Sequence, residues 1–127
     1  MNKEQAKEKI NKLVVRYNGL SEIERKQYNE QQTKDHFIRP LFEGLGWDFE
    51  NDVWAETSVS KKRGDYAFKI NGITKFFVEA KQLSVDLDEL KWAEQAIWYA
   101  WHKSVPWAIL TDFESIKVFN EIGRAHV

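Results

Sequence analysis

The sequence predicts an α/β fold in which helices flank a central mixed sheet of about five strands. Three observations carry that expectation. Residues 3–17 and 87–102 place apolar side chains at helical spacing, whereas 65–70, 73–81 and 107–110 are short apolar runs of strand length. Asn71-Gly72 separates two of those runs, and this dipeptide is a strong hairpin signal. The helical segments come mostly first and one returns between strands, with no internal repeat and no low-complexity stretch.

Taken in order, the first helix carries Ala6, Ile10, Leu13, Val14 and Tyr17 on one face and stops at Gly19. Ser21 with Glu24 forms a capping box for the next helix. A further helix over about 30–44 has Phe37, Ile38, Leu41, Phe42 and Leu45 as its stripe, a kink at Pro40, and Gly44 and Gly46 at its end. Strands are expected near 47–59, 65–70 and 73–81. Asp86 and Glu89 cap a helix over 87–102 that buries Leu87, Leu90, Ile97, Trp98 and Trp101. Pro106 breaks the chain before the buried strand Trp107-Ala108-Ile109-Leu110, and Ser115 to Asn120 reads as an edge strand.

At 127 residues the chain fits one domain, read here as residues 1–122 with helices over 1–27 and a core over 28–122. Residues 123–127 are expected to be an unstructured or expression-derived tail. Six Trp and eight Phe are ample for a packed core. With no cysteine, disulfides and thiolate metal sites are excluded, which fits a reducing compartment. No apolar run approaches the roughly 20 residues of a membrane span. The polar start lacks a signal-peptide core, so a cytoplasmic location is expected. A phosphate-binding Gly-x-x-x-x-Gly-Lys-Ser/Thr loop does not occur, so no ATP site is expected. The formal net charge is −1, from 19 basic and 20 acidic residues. A free-standing nucleic-acid binder is usually more basic, so DNA affinity would have to come largely from a partner or further chain.

The hairpin holds the chemistry-bearing residues. In the preferred register, a three-residue loop with a bulge sets Ile70 against Thr74, Lys69 against Lys75, Phe68 against Phe76 and Tyr66 against Val78. Asp65 then faces Glu79, and Lys81 shares their side of the sheet. A two-residue turn would instead send Glu79 to the other side. Two carboxylates make a hard oxygen site suited to Mg²⁺, and the Ala80 carbonyl could add a ligand. Such a cation polarises a phosphodiester, and Lys81 could stabilise charge growing on phosphorus. Glu30 and Lys34 extend the inward helical stripe of Ile38 and Leu41, so they could reach the same face; Glu30 is a further candidate ligand, with Glu43 as alternative. Gln95 and Tyr99, four apart, share a helix face. Lys61, Lys62 and Arg63 precede Asp65 and could touch DNA backbone. His36 reads as structural, and Trp92, Trp98, Trp101 and Trp107 read as core.

These residues resemble the PD-(D/E)XK nuclease superfamily. More narrowly they resemble the N-terminal nuclease domain of type I restriction-enzyme R subunits and related restriction–modification proteins. The likeness runs over about residues 28–120 through Glu30-Gln31-Gln32-Thr33-Lys34, Ile38-Arg39-Pro40-Leu41, Leu45-Gly46-Trp47-Asp48, Gly64-Asp65-Tyr66-Ala67, Val78-Glu79-Ala80-Lys81, Gln95…Tyr99 and Ile109-Leu110-Thr111-Asp112. Gly64 stands where the superfamily's name has Pro. The resemblance implies a three-layer α/β/α restriction-endonuclease-like core that cuts double-stranded DNA with Mg²⁺, for which Mn²⁺ can substitute. It implies Asp65 and Glu79 as metal ligands, Lys81 as the catalytic lysine, and Gln95 and Tyr99 as site support or DNA contacts. Motor, methyltransferase and specificity modules of a restriction–modification complex are the implied partners. The alternative is a non-catalytic member of the same fold serving DNA binding or assembly.

Overall fold

The computed structural model describes residues 2–55, 65–120 and 125–126. Among them lie five α-helices, a π-helical turn and six strands. Helices α1 (Lys3–Asn18) and α2 (Glu22–Gln27) begin with capping boxes, Asn2 with Gln5 and Ser21 with Glu24. The predicted helix over 30–44 forms as α3 (Glu30–Thr33), the π turn Lys34–Ile38 and α4 (Arg39–Gly44). Proline explains the interruption. Pro40 has no N–H to give to the His36 carbonyl and its ring crowds that oxygen. The chain widens, with Arg39 N–H bonding back to Lys34, and the freed His36 carbonyl accepts from Arg16 Nη1 at 3.4 Å. Gly46 (φ +102°) then ends α4: its N–H goes to Glu43 and that of Trp47 to Phe42.

The strands are β1 (Val53–Ala55), β2 (Tyr66–Ile70), β3 (Ile73–Ala80), β4 (Trp107–Thr111), β5 (Ile116–Asn120) and β6 (Ala125–His126). They lie side by side in sequence order, β3 and β4 parallel and every other pair antiparallel, so the mixed α/β sheet expected from sequence is formed. Two expectations at its far side are corrected. β6 pairs with β5, Phe119 opposite Ala125, so β5 is not an edge and part of the supposed tail belongs to the sheet.

Alternation assigns the two faces. Phe68, Val78 and Ala80 meet Ile38 and Phe42 of the N-terminal helices, while Ala67, Phe77 and Ala108 meet α5 (Leu90–Lys103). Helix α1 in turn packs Leu13 against Phe37 and Leu41. Helix α5 links the parallel pair and departs from expectation. Its start is Leu90, because Asp86 accepts the N–H groups of Asp88 and Glu89 in a tight turn instead of capping a helix at 87. Its buried face is Ala96, Tyr99 and Ala100; Leu90 (70% exposed) and Trp101 (61%) point outward. Ile97 and Trp98, also expected in the stripe, are half-buried and pack against the core beside these residues.

The hairpin combines both candidate registers. Asn71 (φ +52°) and Gly72 (φ +79°) form a two-residue turn with Ile70 opposite Ile73. A bulge between Phe68 and Lys69 then leaves Lys75 unpaired and restores Phe68–Phe76 and Tyr66–Val78. The expected Lys69–Lys75 and Ile70–Thr74 pairs do not form; Lys69 pairs with Thr74 and sets its ammonium 3.8 Å from the Trp54 ring centre. Phe68 and Phe76 stack at 4.6 Å. No helix among the described residues is long and apolar enough to cross a membrane.

Candidate active site

Strand pairing delivers Asp65 and Glu79 to one end of the sheet. Asp65 precedes β2, Glu79 is the penultimate residue of β3, and the Tyr66–Val78 pair sets them on the α5 side. Lys81 follows β3, anchored by its N–H to the Thr111 carbonyl of β4 at 2.9 Å. All three are buried, at 5–6% exposure. Charged groups this dehydrated need partners, and each has one. Asp65 Oδ2 accepts the Ala80 N–H at 2.6 Å and Oδ1 accepts Lys34 Nζ at 2.9 Å. Glu79 Oε1 lies 3.3 Å from Lys81 Nζ. Lys81 Nζ also donates to Gln95 Oε1 at 3.2 Å and sits 4.2 Å from the Trp92 ring centre.

One oxygen is left over. Glu79 Oε2 is buried without a hydrogen-bond partner. Burial first, and then the neighbouring Asp65 charge, push the Glu79 carboxyl up to about 8; Lys81 works against the shift and Glu30 adds to it. A carboxylate next to a second carboxylate, with an unbonded oxygen, has the chemistry of a cation ligand. The residues present therefore fit a divalent ion. Glu30 is half-buried and close enough for its charge to act on Glu79, yet no group of three or more Asp, Glu or His side chains is placed to hold a metal among the described residues. Glu43 pairs with Arg39 at 3.6 Å on the helix exterior.

The remaining candidates separate. Gln95 reaches Lys81 directly. Tyr99, one turn on, is 1% exposed and packs edge-on against Phe77 at 4.6 Å, within the core between α5 and the sheet. Lys61, Lys62 and Arg63 lie outside the described residues. His36 Nδ1 is 3.1 Å from Tyr28 Oη, a structural contact. Trp92 packs against the Leu87, Leu110 and Phe119 cluster, as its reading as core expects, and it also presents its ring to Lys81, which that reading does not include. The available signal was its spacing: Trp92 and Gln95 are three apart on α5 and share a face. Beside Lys34, Thr33 Oγ1 accepts the Leu83 N–H at 3.2 Å, tying the end of α3 to the loop that follows Lys81.

Comparison with known proteins gives one relative of note. Over 90% of its length the chain is 29% identical to the Escherichia coli "Type II restriction enzyme and methyltransferase RM.Eco57I". It spans 13% of that protein. The similarity is thus to a restriction-system protein, over a small part of it. No protein-family profile matches the chain. No solved structure matches it either.

Proposed function

We propose that this chain is a Mg²⁺-dependent endonuclease domain of a restriction system, hydrolysing phosphodiester bonds of double-stranded DNA. The carrying observation is the buried cluster of Asp65, Glu79 and Lys81 with the unbonded Glu79 oxygen. Likeness to a restriction enzyme and methyltransferase fusion supports the same reading.

In this reading Asp65 and Glu79 hold the cation, with the Ala80 carbonyl as a third ligand and Glu30 adding negative charge nearby. When bound, Mg²⁺, or Mn²⁺ in its place, supplies Lewis acidity and charge neutralisation at the scissile phosphate. Lys81 brings an ammonium that cannot wander, because Glu79, Gln95 and the Trp92 face hold it. Its charge faces the negative charge that grows on phosphorus as water adds and the P–O3′ bond breaks. The products are a 5′-phosphate and a 3′-hydroxyl. Gln95 and Trp92 act through Lys81 and are positioning residues. Sequence choice, and the motor, methyltransferase or specificity modules, reside outside this chain in the proposal.

Near-neutral charge favours a second reading, a non-catalytic assembly module of the same fold. Plasmid nicking with Mg²⁺ separates the two. The wild-type chain nicks, while Asp65→Ala and Lys81→Ala lose activity by at least about a hundredfold. Calorimetric titration with Mn²⁺ is the companion measurement: binding that disappears in Asp65→Ala supports the nuclease, and no binding to the wild-type chain sinks it.

A further inference from the structure

We propose that Lys34 is an exchangeable counter-ion: its ammonium holds the outer oxygen of Asp65 in the metal-free protein and yields it when a divalent cation binds. The inference rests on reading Asp65 and Glu79 as metal ligands. It goes beyond that reading by giving a cation-displacement role to a residue of the N-terminal helices.

The two oxygens of Asp65 are unlike each other. Oδ2 takes the Ala80 N–H at 2.6 Å, a bond inside the strand framework that fixes the carboxylate. Oδ1 takes Lys34 Nζ at 2.9 Å. The side chains of this pair are 15% and 3% exposed. Leaving the Asp65 charge alone at such a depth is costly, so an ammonium or a metal must sit beside it.

The two lysines are also unlike each other. Lys81 is held from three sides, by Glu79, Gln95 and Trp92, all on β3 or α5. Lys34 comes from the opposite helical layer and approaches Asp65 alone, on a flexible four-carbon stem. A divalent ion beside Asp65 and Glu79 would put four positive charges against two carboxylates, with Glu30 as a third. Repulsion of that size expels the cation that is least restrained, and the contacts single out Lys34. The Thr33–Leu83 hydrogen bond keeps its backbone in place throughout, so only the side chain need move.

Mn²⁺ calorimetry on wild-type, Asp65→Ala, Lys34→Met and Lys34→Arg chains, with folding checked by circular dichroism, decides the matter. Deleting the competing charge tightens Mn²⁺ binding by roughly tenfold or more in Lys34→Met, while Lys34→Arg stays near wild type. Melting gives a second readout. In EDTA Lys34→Met melts below wild type, and the gap closes at saturating Mn²⁺, because ligand binding then supports both chains and Lys34 no longer touches Asp65. Should Lys34→Met not fold in EDTA, Lys34→Gln, which can still donate to Asp65, serves the same comparison. Equal or weaker Mn²⁺ binding in the folded neutral variant, with Asp65-dependent binding intact in wild type, overturns the exchange and leaves the nuclease reading standing. Absence of Asp65-dependent binding in wild type removes the metal site and the exchange with it.

Discussion

Glu79 stands where a carboxylate is hard to keep charged. An ordinary glutamate titrates near 4.5, but in the folded chain burial and the Asp65 charge raise Glu79 to about 8. Between those values the folded protein binds a proton that the unfolded chain has lost. Metal-free stability is therefore highest below about 4.5 in this respect, and falls as pH rises through about 8. Glu79→Gln removes the titration. Urea midpoints in EDTA should match wild type near pH 5 and exceed it above pH 8, while Mn²⁺ binding is lost. A wild-type midpoint insensitive to pH across that window would mean the carboxylate is better solvated than its burial indicates. If Glu79 holds a cation as proposed, stability is given up at one residue for that affinity, the trade expected of a functional site.

The hairpin is the element that turns sequence into a site, and its geometry depends on Gly72. At φ +79° an L-residue is strained, and no atom lies within 4 Å of where a Cβ would sit. Gly72→Ala should thus cost about 1–2 kcal/mol from backbone conformation alone, read as a lowered denaturation midpoint. Phe68→Ala, which empties the stack on Phe76 and the contacts to Phe42 and Trp47, should cost about 3–5 kcal/mol. The same hairpin shows what was legible. Apolar matching placed Phe68 opposite Phe76, and with it Asp65 beside Glu79, because burying two rings outweighs anything the turn prefers. The turn itself departs from the preferred three-residue loop and takes the two-residue alternative. Asn-Gly satisfied its own two-residue geometry, and a bulge absorbed the mismatch one step further along. Helix α5 departs in part. Of its expected stripe, Leu87 is buried and Ile97 and Trp98 pack against the core, but Leu90 and Trp101 face outward, and the fully buried positions of the helix are Ala96, Tyr99 and Ala100. Lys34 was legible as an inward-facing polar residue, yet its partner was not, since Asp65 is 31 residues away and only the tertiary fold joins them.

Across the whole molecule, charge limits what this chain does alone. Nineteen basic and twenty acidic residues leave a net charge of −1, and at least two of the lysines, Lys34 and Lys81, are committed to buried carboxylates. The other 17 Lys and Arg are balanced by acidic residues, so the chain has no excess of positive charge to offer phosphates, and each phosphate contact contributes about −0.9 to the slope of log affinity against log salt. Fluorescence anisotropy of a labelled duplex in EDTA should therefore give a shallow slope, of magnitude below about 3, and affinity no tighter than the micromolar range at physiological salt. A steeper slope with nanomolar binding would mean the chain carries its own DNA-docking surface and needs no larger assembly to find its substrate. The shallow result would instead divide the labour. On the proposed reading, a partner would deliver the duplex, and this domain would supply two carboxylates and an ammonium whose cation binding becomes productive only once phosphate is brought to them.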